Sequence, residues 1–371
     1  MKKIQLTCAH AIVKYLISQK ILVDGKKLPL FAGAFGIFGH GNVACLGQAL
    51  EENKKELPTW RGHHEQNMAL TGIAFSRAKR RRQIFVATSS VGPGSTNMLT
   101  AAAVAMSNRL PMLFLPGDTY ANRMPDPVLQ QVEHFNNPNI TQNDAFKYVT
   151  RYFDRITRPE QILQTFPQAI QTMIDPADCG PACISLSQDV QGETFDYPEE
   201  FFNEKIHTIR RPRPDDYQIK QAADLIKKSK NPIIISGGGI FYSDAMKELS
   251  QFAKKHNIPT AQTVMGYSTM KKDDPYFLGA IGGFGGTAPN DFMKKTDLAI
   301  AIGTKLADFT TGSWTNFENP NFKLVSINVS RFDANKHMAQ SIVGDAKVCI
   351  QDLTVALGSW KASDEWLSLI H

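Results

Sequence analysis

The stretch that decides the fold is QIFVATSSVGPGSTNMLTAAAVAMSN, residues 83–108. It begins with an apolar run typical of a buried strand, continues into a turn with two glycines, and ends in an alanine-rich helical segment. The next run, LPMLFLPGD at residues 110–118, is again strand-like and ends in a turn. Strand, helix and strand in this order indicate a βαβ unit with parallel strands.

The same alternation extends along the chain in both directions. Its strand-like members include LPLFAGAFGIFGHGN (28–42), PACISLSQDV (181–190), NPIIISGGG (231–239) and LAIAIGT (298–304). Between the second and third of these lies IRRPRPDDY (209–217), whose proline and charge content is typical of a linker. In the helix-like segment that follows the third strand, Ser243 is a plausible N-cap.

We therefore predict an α/β protein of two doubly wound domains with mostly parallel sheets. The first domain is expected at residues 1–208, the linker at 209–217 and the second domain at 218–371.

Composition limits the possible functions. The chain has 371 residues, 42% hydrophobic and 20% charged, with a formal net charge of +6. No apolar run reaches the roughly 20 residues that cross a bilayer, and the start MKKIQLTCAHAIVKYL lacks the features of a signal peptide. We expect a cytoplasmic protein without a membrane partner.

Neither the basic run nor the cysteines predict a site. RAKRRRQ (77–83) lacks interleaved aromatics and fits the end of a helix, so no nucleic-acid partner is expected. The five cysteines are odd in number and scattered, which argues against a disulfide framework. Cys179 and Cys183 have no second pair nearby, so zinc is not expected there.

Two adjacent histidines precede a helical run in TWRGHHEQNMALTGIAFSRA (59–78). Neighbours on a helix point about 100° apart, and the spacing of zinc-binding histidines is absent, so His63 and His64 do not predict a metal site. Glu65 fits either a plain helix start, where the dipole favours a carboxylate, or a functional carboxylate. The spacing alone leaves both open.

Glycine-containing loops follow several strands. SSVGPGSTN (89–97) could hold a ligand at a helix N-terminus or be an ordinary βα connection. His40, between two glycines of GIFGHGN (36–42), could face a ligand or be solvated. The glycines of the second domain fit either nucleotide binding or tight turns.

Taken together, these stretches resemble a known family. HHEQNMALTGIAFSRA and SSVGPGSTNMLTAAAVAMSNRLPMLFLPGD resemble the pyrimidine-binding domain of thiamine-diphosphate enzymes of the acetolactate-synthase type. KNPIIISGGGI, IPTAQTVMGYSTM, LAIAIGTKLADFTTG, KLVSINVS and SIVGDA are similar to the Rossmann-like central domain of that family. The resemblance covers nearly the whole chain, in order.

Four further stretches are similar to one branch of the family, which hydrolyses a cyclic dione to 5-deoxy-glucuronate in myo-inositol breakdown. They are IFGHGN, PDPVLQQVEH, RYFDRITRPEQ and SQDVQGETFDYPEEFF. The resemblance implies a hydrolase that acts on a C–C bond of a small cyclic dione. A carboligase or decarboxylase of the same family, and a non-catalytic nucleotide-binding module, remain alternatives.

The resemblance also implies roles for particular residues. In the family a glutamate contacts a ring nitrogen of the cofactor pyrimidine and sets its tautomer; Glu65 matches that glutamate and is expected to be largely buried. Pro93, Asn97 and Asp118 are expected in the pyrimidine pocket, although Asp118 replaces a glutamine common in the family. His40 is expected to carry protons or bind substrate, and Gln130 or Gln131 to reach the substrate. His63 and His64 are weaker candidates.

Relatives hold Mg²⁺ and the diphosphate through a third domain with a G-D-G motif followed by asparagines. PGDTY and VGDAKV lack the second glycine of that motif. We therefore expect a fragment or one subunit of a split enzyme, with no metal ligands of its own and no activity alone. The resemblance implies thiamine diphosphate and Mg²⁺ as cofactors, and a homodimer or homotetramer. FAD or NAD in the second domain is a further possibility without support.

Overall fold

The computed structural model describes residues 2–122, 124 and 127–369. The chain divides into two compact units, Met1–Ile209 (unit 1) and Arg210–His371 (unit 2). Pro125 and Asp126, which begin the PDPVLQQVEH stretch, lie outside the described residues, as do the last two residues of the predicted second domain.

Unit 1 alternates strands and helices. Its strands are β1 (Lys3–Thr7), β2 (Gln19–Val23), β3 (Lys26–Pro29), β4 (Phe31–Ile37), β5 (Thr59–Arg61), β6 (Ile84–Ser89), β7 (Leu113–Asp118), β8 (Tyr152–Ile156), β9 (Ala182–Ser187), β10 (Thr194–Pro198) and β11 (Lys205–His207). Its α-helices are α1 (Cys8–Ser18), α2 (Gly39–Asn42), α3 (Leu46–Glu52), α4 (Glu65–Ala78), α5 (Pro93–Thr96), α6 (Leu99–Asn108) and α7 (Ile162–Ile174).

The main sheet of unit 1 has six strands in the order β5-β4-β6-β7-β9-β8. All neighbouring strands are parallel. In the register of the sheet, Ala34 pairs with Val86, and Val86 pairs with Leu113. Every residue of β6, β7 and β9 is buried, as expected where helices cover both faces of a parallel sheet. The predicted doubly wound architecture is confirmed here.

The strand order reverses direction between β4 and β6. After β4 the chain continues to β5 on one side, whereas after β6 it continues to β7 on the other. In folds of this kind ligands bind in a crevice at the carboxyl edge of the sheet, beside the loops that follow the two strands at the reversal. The predicted ligand loops, GIFGHGN and SSVGPGSTN, occupy these two positions.

Unit 2 repeats the architecture. Its strands are β12 (Pro232–Ser236), β13 (Thr260–Gln262), β14 (Phe277–Ala280), β15 (Leu298–Ile302), β16 (Lys323–Asn328) and β17 (Gln340–Val343). Its α-helices are α8 (Asp216–Lys228), α9 (Gly238–Ser243), α10 (Met246–His256), α11 (Thr287–Lys295), α12 (Asp308–Thr311), α13 (Arg331–Ala334), α14 (Ala346–Leu357) and α15 (Asp364–Ser368). The sheet order is β14-β13-β12-β15-β16-β17 with parallel neighbours, the order of dinucleotide-binding folds.

The structure corrects one local expectation and adds strands. Ser243 ends α9 rather than capping α10, and its hydroxyl donates to Oδ1 of Asp345 at 2.7 Å. Arg211, from the proline-rich stretch, also donates to the Ser243 hydroxyl, at 2.9 Å. The short strands β5, β8, β14 and β17 are the edge strands of the two six-stranded sheets, and no strand was predicted for these segments.

Two small sheets in unit 1 also went unpredicted. In one of them β1 pairs antiparallel with β10, and in the other β2 lies between β3 and β11. Within the described part of the chain, no helix is long and apolar enough to cross a membrane.

His207, at the end of β11, predicts how stability depends on pH. The side chain is buried beside Gln19, with Nε2 and Oε1 separated by 2.9 Å. Burial, aided by Lys205, lowers the pKa of His207 to about 4. At pH values between about 4 and the histidine pKa of the unfolded chain, about 6.5, the unfolded chain binds a proton at this imidazole and the folded chain does not. Stability is therefore complete above this range and lost as the pH falls through it.

We expect His207 alone to lower the free energy of unfolding by about 2 kcal/mol between pH 7 and pH 4.5. Urea denaturation at both pH values should show a smaller acid loss in His207→Gln than in the wild type. The exposed His63 supplies the control, His63→Gln, which should keep the wild-type dependence. Equal acid losses in wild type and His207→Gln would contradict this assignment.

Candidate active site

Glu65 stands at the first position of α4, at the carboxyl edge of the unit 1 sheet. β5 ends at Arg61 and the chain turns through His63 and His64 into the helix. The Nδ1 atom of His64 accepts a hydrogen bond from the backbone N–H of Gln66 at 3.2 Å and so caps the helix. The positive end of the helix dipole favours a carboxylate at this position.

The Glu65 carboxylate meets the loop that follows β6. Oε2 accepts a hydrogen bond from Nδ2 of Asn97 at 2.9 Å. A Cβ atom built on Gly94 would lie 3.3 Å from Oε1 of Glu65. The structure therefore brings together two of the predicted pocket residues, Glu65 and Asn97. Pro93 begins α5 in the same loop and is exposed.

Glu65 is partly buried, and the expectation of a largely buried carboxylate stays a prediction. Its partial exposure follows from its position at the rim of the sheet, where His63 and His64 are exposed beside it. One carboxylate oxygen is engaged by Asn97.

Glycine is required where this loop turns. Gly92 has φ of 69°, a left-handed conformation, and a Cβ there would lie 1.9 Å from the carbonyl oxygen of Gln130. Gln130 therefore packs against the loop through its backbone, and its side chain is exposed. The Gln131 side chain closes a local turn instead, since its Oε1 accepts from the backbone N–H of Val128 at 3.1 Å.

His40 lies in the loop after β4, in the short helix α2, and is exposed. The two loops touch, because a Cβ on Gly39 would come within 2.3 Å of Cβ of Ser90. His40 also borders an open cleft of about 430 Å³, within the size range of small-molecule sites. The other residues lining this cleft are Gly41, Ala44, Cys45, Tyr120, Asn122, Gln188 and Asp189.

The cleft is lined mainly by neutral groups. Among the described lining residues the one carboxylate is Asp189, which accepts hydrogen bonds from the backbone N–H groups of Ala121 and Asn122 at 2.9 and 3.0 Å and so holds the loop after β7. Burial raises the pKa of the Cys45 thiol, which disfavours a nucleophilic thiolate. No Lys or Arg is present among the described lining residues. Sequence reasoning gave these cleft residues no role, although Gln188 and Asp189 lie in a stretch that carried the resemblance.

The expected role of Asp118 in the pyrimidine pocket is not supported. Its side chain is 0% exposed, and Oδ2 accepts from Nε of Arg155 at 2.7 Å. Ser185 donates to the same oxygen, and the Thr119 N–H donates to Oδ1 at 2.8 Å. A carboxylate enclosed in this way cannot contact a ligand. The ion pair with Arg155 gives Asp118 a structural role.

Arg155 joins this ion pair to a second carboxylate. Its Nη2 donates to Asp144 at 2.9 Å, and Asp144 caps a 3-10 helix, Gln142–Tyr148. Burial opposes ionisation of Asp144, but hydrogen bonds from Lys147 and Arg155 leave its pKa below the usual value. Arg155 thus links Asp118 to Asp144 and anchors the segment that follows the cleft loop.

Metal-ligating residues do not cluster in the described residues: no group of three or more His, Cys, Asp or Glu side chains could hold an ion. In unit 2 the turn after β12 is closely packed, since a Cβ on Gly239 would lie 2.5 Å from Cα of Gly303. The expectation that this unit holds FAD or NAD stays a prediction.

Comparison with known proteins gives two family matches. Residues 31–137 match the thiamine pyrophosphate enzyme, N-terminal TPP binding domain, and residues 219–353 match the thiamine pyrophosphate enzyme, central domain. The first match contains the two crevice loops and Glu65, and the second covers most of the unit 2 sheet.

Two of the similar curated proteins are named 3D-(3,5/4)-trihydroxycyclohexane-1,2-dione hydrolase. The chain is 47% identical to the protein of that name from Clostridium botulinum (strain Alaska E43 / Type E3) and 48% identical to that from Clostridium perfringens (strain 13 / Type A). Each alignment covers 353 residues, 95% of this chain and 55% of the relative. The chain therefore spans about half the length of these relatives.

Removal of Arg155 should destabilise the fold, because the buried Asp118 carboxylate then lacks its ion-pair partner. We expect Arg155→Met to lower the free energy of unfolding by about 3–5 kcal/mol, because Asp118 is left charged and unpaired. The double variant Asp118→Asn with Arg155→Met should lose clearly less. Urea denaturation at pH 7 measures both variants, and a double variant as unstable as Arg155→Met alone would contradict the pairing.

Proposed function

Because the chain belongs to the thiamine pyrophosphate enzymes, we propose that it forms the pyrimidine-binding and central parts of a hydrolase. The proposed reaction is cleavage of a C–C bond in trihydroxycyclohexane-1,2-dione, giving 5-deoxy-glucuronate in myo-inositol degradation. The observation that carries this proposal is the Glu65 carboxylate, held by Asn97 at the start of α4. Identity of 47–48% to hydrolases with that substrate in their names supports the choice of substrate.

The residues around Glu65 fit the pyrimidine of thiamine diphosphate. Asn97 engages Oε2, while the missing side chain of Gly94 leaves room in front of Oε1. Glu65 would bind a ring nitrogen of the cofactor, and Asn97 would orient Glu65. When bound, the cofactor supplies a carbon nucleophile and accepts the electron pair of the broken bond.

His40 is the proposed proton carrier. An imidazole can take up or give up a proton near neutral pH, and this one borders the cleft next to the Glu65 loop. Its exposure in the crevice leaves it free to meet a substrate. Gln130, whose backbone lies on Gly92, is proposed as a further substrate contact.

The cleft supports a neutral substrate over a 2-oxo acid. Imidazole, phenol and amide groups can donate to and accept from the hydroxyls of a polyhydroxylated ring. A carboxylate substrate would instead favour a cation, and the described lining residues include none. This favours the cyclic dione over the substrates of a carboligase or decarboxylase.

The chain is proposed to act only with a diphosphate-binding domain that supplies the Mg²⁺ ligands. The proposal is supported by the length of the curated relatives, of which the chain covers 55%. Assembly as a homodimer or homotetramer is proposed because apolar side chains after β7 are exposed: Met124 (90%), Leu129 (62%), Val132 (50%) and Phe135 (92%). A cytoplasmic location stays a prediction.

The proposal is tested with the chain supplemented by the diphosphate-binding domain of a relative, Mg²⁺ and thiamine diphosphate. We expect Glu65→Gln to lower kcat for the cyclic dione by about a hundredfold or more, because the amide carries no charge to set the tautomer of the pyrimidine. Loss of the dione is followed spectroscopically, and cofactor affinity by calorimetry. The exposed Glu56 supplies the matched control, Glu56→Gln, which should keep the wild-type rate. A full rate in Glu65→Gln would contradict the role of Glu65.

The same assembled protein tests the choice of substrate. We expect consumption of the cyclic dione with 5-deoxy-glucuronate as product, and no turnover of pyruvate, because the described lining residues offer hydrogen bonds and include no cation. Product analysis by mass spectrometry with each substrate alone decides the point. Formation of acetolactate or acetaldehyde from pyruvate would favour the carboligase or decarboxylase instead.

A further inference from the structure

Two buried amide side chains hold the loop that carries His40. Asn42, the last residue of α2, is 0% exposed, and Gln191, in a 3-10 helix after β9, is 1% exposed. Nε2 of Gln191 donates to Oδ1 of Asn42 at 2.8 Å and to the carbonyl of Gly41 at 3.3 Å. The third neighbour of this nitrogen is also an acceptor, the carbonyl of Leu186 at 3.4 Å. Only a donor suits this position.

Asn42 in turn connects the loop to the main sheet through hydrogen bonds. Its Nδ2 lies 2.7 Å from the Thr88 hydroxyl, 2.9 Å from the Ser89 carbonyl and 3.3 Å from the Leu115 carbonyl. These acceptors lie at or near the carboxyl ends of β6 and β7. The fit is tight, since a Cβ on Gly117 would lie 2.8 Å from Oδ1 of Asn42.

The contacts continue toward Glu65. Gly39, beside His40, packs against Ser90, and a Cβ on Gly94 would lie 2.4 Å from Oγ of Ser90 and 3.3 Å from Oε1 of Glu65. A shift of α2 would therefore press on the loop that contacts the Glu65 carboxylate. Gln188 also fixes this loop, because its Nε2 donates a hydrogen bond to the carbonyl of His40 at 3.1 Å.

We propose that Gln191 is a positioning residue. Through Asn42 and Gly41 its amide fixes the His40 loop to the carboxyl ends of β6 and β7, and so sets the place of the imidazole relative to Glu65. Gln188 supports the same loop from the cleft side. The catalytic consequence rests on the proposed function, whereas the fixing of the loop rests on these contacts alone.

The variant Gln191→Glu keeps the size of the side chain but puts an oxygen among three acceptor oxygens. We expect hydrogen exchange at the amides of residues 39–42 to rise about tenfold or more, because buried acceptors lose their donor. Amides of β6 and β7 should keep their protection. The matched control is Gln171→Glu on the exposed face of α7, which should change neither region.

A second variant covers the case in which Gln191→Glu does not fold. Gln188→Ala removes only the bond to the His40 carbonyl and should loosen residues 39–42 to a smaller extent, again without exposing the sheet. Unchanged exchange at these residues in both variants would overturn the proposal.

The assembled enzyme separates positioning from a merely structural role. We expect Gln191→Glu to lower kcat for the cyclic dione about tenfold to a hundredfold, with KM within about twofold, because the reacting groups are misplaced after substrate has bound. A loosened loop with unchanged kcat per folded molecule would overturn the catalytic consequence. If the wild-type assembly does not consume the dione, the proposed function fails, and the exchange data still decide whether Gln191 fixes the loop.

Discussion

The candidate site depends on the reversal of strand order between β4 and β6 of unit 1. Parallel strands place their carboxyl ends at one edge, and the reversal sends the two following loops in opposite directions. In folds of this kind ligands bind in a crevice at that edge. The chain places small residues in both loops, so that Gly39 and Ser90 can touch while His40 and Glu65 remain accessible. The chemistry proposed for the protein thus follows from where the sheet changes direction.

At that edge, electrostatics and packing both favour a carboxylate at position 65. Glu65 starts a long helix, so its charge meets the positive end of the dipole, and the Asn97 amide fixes one oxygen. Gly94 leaves the other oxygen without a covering side chain. Asp118 shows the opposite arrangement, because Arg155 and Ser185 enclose it completely. Two carboxylates near one sheet edge therefore have different roles, one available to a ligand and one structural.

The sequence predicted what local pattern encodes. Continuous apolar runs predicted the central strands, glycine-containing turns predicted the loops at the crevice, and the run after His64 predicted α4. Long-range contacts were missed, because no local pattern encodes them. Asn42 and Gln191 are separated by 149 positions, and Asp118 and Arg155 by 37. The Ser243 expectation failed for the same reason, since Asp345 binds that hydroxyl from 102 positions away.

The central claim is that Glu65 binds the pyrimidine of thiamine diphosphate. The most direct measurement is a crystal structure of the chain assembled with a diphosphate-binding domain, Mg²⁺ and the cofactor. We expect a carboxylate oxygen of Glu65 at about 2.6–3.2 Å from a ring nitrogen of the pyrimidine, with Asn97 still donating to the other oxygen. A bound cofactor whose ring lies beyond hydrogen-bond reach of Glu65 would contradict the claim.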